Sequence, residues 1–274
     1  MPLVYLCVRP QHEAAAAEYA SFRETAGLGP DELEQHDLTR APLPADAFER
    51  WRGFLVGGSP FNLTDPERDK SDVQRRVESE LEAIAARAAD ARTAALFTCY
   101  GIGVVTRMLG GQVSRQHPEP TGPATVVLTP AGRDDPITGG LASPFHALSA
   151  HKEGAGAAPA GATLLATNEA CPAQAYRVGD RLYATQFHPE STPVPFTERM
   201  ALYRDGGYFD AAEYDAIAQA GACHAGHRAG SDAAGVHGAV RRFLTSAACD
   251  AGPSSTPVTG TAAEAPDTRT GRSR

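Results

Sequence analysis

The apolar positions of this chain fall into short continuous runs separated by stripes at helical spacing. Residues 3–8, Leu-Val-Tyr-Leu-Cys-Val, predict a first strand. An alanine-rich stretch follows over residues 13–26, with Tyr19, Phe22 and Ala26 on one helical face and Gly27 placed as a stop. Residues 54–56 predict the next strand, and Ser71-Asp72 then caps a long helix bearing Val73, Val77, Leu81 and Ile84 on one side. Residues 94–98 are apolar without strict alternation, the pattern of a strand covered on both faces. Ile102, Val105 and Leu109 recur at helical spacing directly after it, and Gly110-Gly111 stands where that helix would end. Residues 125–128, 147–149 and 163–166 predict short strands. Residues 173–178 and 181–187 flank Gly179-Asp180 as a hairpin, expected to deliver the segment after it to the sheet edge.

This alternation predicts an α/β fold with an open, mostly parallel central sheet flanked by helices. From Thr192 the pattern turns helical and aromatic, through Phe196, Met200, Tyr203, Tyr208, Phe209 and Tyr214, and reads as packing. Residues 249–274 are rich in Pro, Ser, Thr, Gly and Ala with no apolar period, which predicts a disordered tail. The expected organisation is one domain over residues 1–248 followed by that tail. No repeat of fixed period occurs.

Charge and composition narrow the possible functions. A formal net charge of −8 over 274 residues, with basic pairs such as Arg75-Arg76 and Arg241-Arg242 inside helical patterns, argues against a nucleic-acid footprint. The five cysteines, Cys7, Cys99, Cys171, Cys223 and Cys249, are odd in number and widely spaced; this is no disulfide framework, and it points to a reducing, cytoplasmic setting. The first apolar run ends before Arg9-Pro10, too short for a signal segment or a membrane span. Cys223, His224, His227 and His237 are ligand types, but their spacing fits no structural zinc pattern, so neither a metal nor a cofactor is expected. Gly57-Gly58 is not followed by Gly-Lys-Ser/Thr and is not read as a phosphate loop.

The candidate chemistry centres on Cys99, at the end of the strand over residues 94–98 and the start of a helix. Such a strand-to-helix turn exposes a nucleophile, and the helix N-terminus favours negative charge beside it. A thiol attacks a carbonyl only as thiolate, so it needs an imidazole partner. His188, in Gln186-Phe187-His188-Pro189-Glu190, is the best candidate. Pro189 holds the residue before it in extended geometry, and side chains two apart on an extended segment share a face, so Glu190 can orient the imidazole. The loop Val56-Gly57-Gly58-Ser59-Pro60 lets backbone amides approach a ligand, which makes Gly58 and the amide of Tyr100 candidate donors to a developing oxyanion. Cys7 and Cys171 read as small buried hydrophobes. His151 either shapes the pocket or is a satisfied surface histidine.

Cys-Tyr-Gly after a strand, the upstream Gly-Gly-Ser-Pro and the downstream Phe-His-Pro-Glu together resemble the class I (triad) glutamine amidotransferase domain, in its free-standing GMP-synthase-like branch, over residue 1 to about residue 245. His151-Lys152-Glu153 stands where that family often has a Ser-His-Gly-Asp-like stretch. The resemblance implies Cys99 as nucleophile, His188 as base and acid, Glu190 as orienter, and Gly58 with Tyr100 as oxyanion hole. It implies hydrolysis of a γ-carboxamide through a cysteinyl thioester, giving glutamate and ammonia. Phe97 and Gly103 replace a glycine and a glutamine of the family pattern; Phe97 is expected to crowd the turn, and Gly103 to remove part of the glutamine pocket. No Ser-Gly-Gly-x-Asp-Ser loop is present, so an ammonia acceptor would be a separate synthase or ligase. Two alternatives share the fold: a γ-glutamyl peptide or γ-glutamylamine hydrolase with the same triad, and an inactive binding module.

Overall fold

A computed structural model describes residues 1–204, 214 and 229–249. In chain order its strands are β1 (Leu3–Cys7), β2 (Leu33–Asp37), β3 (Gly53–Val56), β4 (Ala94–Thr98), β5 (Val113–Ser114), β6 (Glu119–Leu128), β7 (Phe145–His151), β8 (Gly154–Ala155), β9 (Thr163–Thr167), β10 (Ala175–Val178) and β11 (Leu182–Thr185). The described helices are α1 (His12–Ala26), α2 (Ala47–Arg50), α3 (Asp72–Ala89), α4 (Tyr100–Met108), α5 (Pro130–Asp134), α6 (Pro193–Ala201) and α7 (Ala229–Cys249).

Nine strands form one mixed sheet in the order β2-β1-β3-β4-β11-β10-β9-β6-β7. The first five are mutually parallel and carry the candidate site; the remainder continue antiparallel. β5 and β8 make a separate ribbon. β1, β3 and β4 are buried along their whole length, as continuous apolar runs between two helical layers should be. Successive side chains serve opposite layers: Leu3 and Tyr5 join the cluster that includes Phe22 of α1 and Phe243 of α7, whereas Val4 and Leu6 join the one holding Val77 and Leu81 of α3 and Val105 of α4. Gly27, at φ +69°, ends α1, and Ser71 Oγ caps α3 by accepting the Gln74 amide at 3.1 Å.

Several sequence expectations need correction. β2 was not predicted: four of its five residues are polar, because it is an outer strand with only its first residue buried. β6 begins at Glu119 rather than near 125. Pro120, Gly122 and Pro123 read as breakers, yet over that stretch β6 pairs with β7 alone, and its bond to β9 starts only at Val127. The hairpin forms, with Val178 opposite Leu182, but β11 lies inside the sheet between β4 and β10. The segment after it therefore emerges beside Cys99 in mid-sheet and not at the sheet edge. The buried stripe of α1 is Ala14, Ala15, Glu18, Ser21, Phe22 and Thr25, rotated from the expected one and carrying an acid. Tyr208, Phe209, Cys223, His224, His227 and the expected tail beyond Cys249 lie outside the described residues; His237 is half-buried on α7. No described helix is long and apolar enough to cross a membrane.

Candidate active site

Cys99 is positioned from both neighbouring strands. Thr98 Oγ1 donates to the Val56 carbonyl at 2.9 Å, and the Cys99 amide donates to the Thr185 carbonyl at 2.8 Å. Held at both sides, the chain turns at Cys99 with φ +51°, a conformation that costs a non-glycine residue on the order of 1–3 kcal/mol and persists only where the surroundings enforce it. Helix α4 starts at the next residue, so its first-turn amides open beside the thiol. Phe97 does not crowd this turn. Its side chain is buried in the core against Gly101, where a Cβ would lie 2.9 Å from Phe97 Cβ; the two residues fit because one of them lacks a side chain.

His188 stands near enough to Cys99 for imidazole and thiol to interact electrostatically, while the thiol itself donates to the Ala150 carbonyl at 3.7 Å. The His188 amide donates to the Leu148 carbonyl at 2.8 Å, and its ring Nδ1 is 2.8 Å from Glu190 Oε1. Burial alone would lower the imidazole, but the Glu190 carboxylate and Cys99 outweigh it, against opposition from Arg199, and hold His188 up to about 9. Glu190 is itself buried, which would raise its carboxyl; His188 and Arg199 overcome this and keep it well below the usual carboxylate range. Ser191 Oγ and Arg199 Nη1 also donate to Glu190 Oε1, at 3.1 and 3.2 Å.

The Gly57-Gly58 loop behaves differently from expectation. The Gly58 amide donates to Glu18 Oε1 at 3.2 Å, so it is engaged away from the cleft. The lack of a side chain matters for a different reason: a Cβ on Gly58 would meet Arg9 Nη2 at 2.6 Å and His188 Cε1 at 2.9 Å, and one on Gly57 would collide with Glu18 Oε2. Both glycines make room for a buried ionic cluster and for the imidazole. In that cluster Glu18 accepts from both Arg9 and Arg199, and Arg9 Nη1 donates to the Tyr203 hydroxyl at 2.9 Å. Glu18, His188 and Glu190 offer ligand atoms within 4.8 Å of one another. Two guanidinium groups already occupy these carboxylates, so a metal cation would meet positive charge there.

Beside Cys99 opens a cleft lined by Phe61, Leu63, Tyr100, His151, Glu153 and Gln186, among others. His151 is buried in its wall and not on the surface: Nε2 is 2.7 Å from Glu119 Oε2 and Nδ1 is 2.9 Å from the Glu153 carbonyl. Glu153 Oε2 in turn accepts the Leu63 amide at 2.8 Å, fixing the loop that roofs the cleft. A Cβ at Gly103 would lie 2.5 Å from Leu63 Cδ1, so Leu63 fills the space that a side chain at 103 would take. The Tyr100 hydroxyl points away and donates to Glu78 Oε1 at 3.0 Å, locking α4 to α3.

The sequence-predicted Cys99, His188, Glu190, Gly58, Tyr100 and His151 thus all reach this region, although Gly58 directs its amide elsewhere. Glu18, Arg9, Arg199, Leu63 and Gln186 were missed. One signal for Glu18 existed, an acid at i+4 and i+3 from Ala14 and Ala15 and four before Phe22, on the apolar stripe of α1.

The description "Glutamine amidotransferase class-I" fits residues 44–202 of this chain. Over 156 residues the chain is 27% identical to the GMP synthase (glutamine-hydrolyzing) of Thermus thermophilus, a match covering 57% of this chain and 28% of that protein. The chain therefore spans little more than a quarter of that relative's length. The glutamine amidotransferase-like protein YfeJ of Salmonella typhimurium is 26% identical over 189 residues, 69% of this chain and 76% of its own. A solved glutamine amidotransferase of Thermotoga maritima superposes with a TM-score of 0.67 at 15% identity, covering 90% of this chain and 98% of that one, a likeness of fold. With the family match covering more than half of its length, and its fold shared with solved members, the chain belongs to the class-I glutamine amidotransferase family.

Proposed function

We propose that this protein hydrolyses a γ-carboxamide with Cys99 as nucleophile, His188 as base and acid, and Glu190 as orienter. The observation that carries the reading is the joint geometry at Cys99: a thiol forced out on a left-handed turn, in electrostatic contact with a buried imidazole whose Nδ1 is held by a buried carboxylate. In this mechanism Cys99 Sγ attacks the γ-carbonyl carbon and the carbonyl π electrons move to oxygen. The Tyr100 amide, at the start of α4, donates to that oxyanion, while Gly58 serves as a close-packed floor rather than a second donor. His188 passes its proton to the leaving nitrogen, ammonia departs and a thioester remains. Water, deprotonated by His188, then attacks the thioester, and glutamate and the thiol are released.

Glutamine is the first substrate this reading names, as the relatives' names suggest, and the ammonia would pass to a separate synthase or ligase. The free, buried state of Cys7, Cys99 and Cys171 supports a reducing, cytoplasmic setting. A second reading, a γ-glutamyl peptide or γ-glutamylamine as substrate, is favoured by the apolar wall that Leu63 forms above Gly103. One experiment tests both: release of glutamate from glutamine and from a panel of γ-glutamyl peptides and amines, alone and with candidate acceptor ligases. We expect turnover of at least one amide, its loss in Cys99→Ala, and a fall of about 10²- to 10⁴-fold in Glu190→Gln. Equal background rates for wild type and both variants on every amide would replace the enzyme with a binding module of the same fold.

A further inference from the structure

We propose that Glu18, on α1, is a positioning residue for the Cys99–His188 pair: it holds Arg199 between two carboxylates and so governs how strongly the imidazolium is favoured. The inference rests on the reading above only in taking that pair as the reacting one.

Glu18 is completely buried. Its Oε1 accepts from Arg9 Nη2 at 2.8 Å, from the Gly58 amide at 3.2 Å and from Arg199 Nη1 at 3.2 Å, and it lies 3.9 Å from His188 Nδ1. Its Oε2 accepts from the Tyr5 hydroxyl at 2.7 Å and from Arg9 Nε at 3.0 Å. The same Arg199 Nη1 is 3.2 Å from Glu190 Oε1, so one guanidinium bridges the orienting carboxylate and a second carboxylate behind it. Thr25, two turns along α1 from Glu18, donates to the Glu190 carbonyl at 2.8 Å, which fixes the helix against the same segment. The charges of Glu18 and Glu190 offset those of Arg9 and Arg199. An imidazolium–thiolate pair can then form without leaving a net buried charge, which would be expensive in this setting.

The charged and titratable groups around His188 come from every packed element: Cys99 at the β4–α4 turn, Glu18 on α1, Arg9 after β1, Arg199 on α6, Glu190 on its own segment, and His237 on α7, which feels Glu190. Arg199 already opposes the imidazolium, and Arg9 and Arg199 both hold Glu18 in its charged form, against burial. Neutralising Glu18 leaves two guanidinium groups facing Glu190 alone, which raises the positive potential at His188 and must lower its proton affinity. Neutralising Arg9 acts in the opposite sense.

The test is the pH profile of Cys99 alkylation by iodoacetamide, scored by mass spectrometry on folded protein. Because His188 is protonated until about pH 9, the limb of the profile reporting imidazolium loss lies near that value in wild type. In Glu18→Gln it should move down by on the order of one pH unit or more, and in Arg9→Gln it should move up. The double variant Glu18→Gln/Arg9→Gln, with charge balance restored, should return towards wild type. A merely structural role lowers melting temperature without this reciprocal pattern. An unmoved limb in folded Glu18→Gln, or single variants that shift the same way, would overturn the proposal. Should Glu18→Gln not fold, Arg9→Gln and the double variant decide it: an unmoved limb in the first, or a limb in the second still displaced as far as in the first, counts against it. Alkylation requires no substrate. Absence of amide turnover would therefore sink the amidohydrolase reading and leave this result standing, and an unmoved limb would do the reverse.

Discussion

At the residue scale, Gly57 and Glu18 explain each other. A side chain at 57 would collide with Glu18 Oε2 and approach Tyr5 Cε2 to 2.9 Å, and the carboxylate cannot step aside while Arg9 and Tyr5 hold it. Gly57→Ala should therefore cost about 1–3 kcal/mol by overpacking, read as a fall in denaturation midpoint, although alanine is ordinarily a mild substitution. A wild-type midpoint would mean that the cluster yields. The catalytic candidates were legible because their signals are local: Cys99 stands between a strand pattern and a helix pattern, and His188 and Glu190 are joined by Pro189. Glu18, Arg9 and Arg199 were not, because their partnership joins α1, the end of β1 and α6, and no spacing within one segment encodes it. For Gly58 the residue type was read correctly and the reason was not; the glycine clears space for His188 and Arg9 instead of presenting its amide to the cleft.

At the element scale, the strands read most clearly are those whose two faces are both covered. β1, β3 and β4 announce themselves as continuous apolar runs because a helical layer lies on each side. β2 and the start of β6 pair on one side only, so they tolerate polar residues and prolines, and the pattern fades there. Helix α7 is rich in alanine and glycine, yet it presents Val236, Val240, Phe243 and Leu244 to the core, with Phe243 against Tyr183 at a ring separation of 5.7 Å. Burial of such side chains is worth about 1.5–3 kcal/mol each. A chain ending at residue 228 should therefore lose most of its cooperative melting, whereas one ending at residue 249 should keep the full-length midpoint, in line with our proposal that the folded unit closes near 248. An unchanged midpoint on removal of α7, or a fall of several degrees on removal of residues 250–274, would contradict that boundary.

At the scale of the whole molecule, the parallel half of the sheet supplies the nucleophile from β4 and the imidazole from the segment after β11, while β7 of the antiparallel half closes the cleft through Ala150, whose carbonyl lies 3.7 Å from Cys99 Sγ. The two helical layers contribute unequally: α3 and α4 lock the turn from one face, and α1 and α6 deliver the buried charges from the other. This division explains why the fold could be read from periodicity but the electrostatic setting of the site required the assembled molecule. The central claim, that Cys99 is a nucleophile poised for a γ-glutamyl carbonyl, is tested most directly by labelling the whole chain with the glutamine-analogue electrophile diazo-oxo-norleucine and mapping the adduct by mass spectrometry. The account predicts one equivalent bound at Cys99, strongly slowed in His188→Ala; no adduct at Cys99 under conditions that modify Cys7 or Cys171 would contradict it.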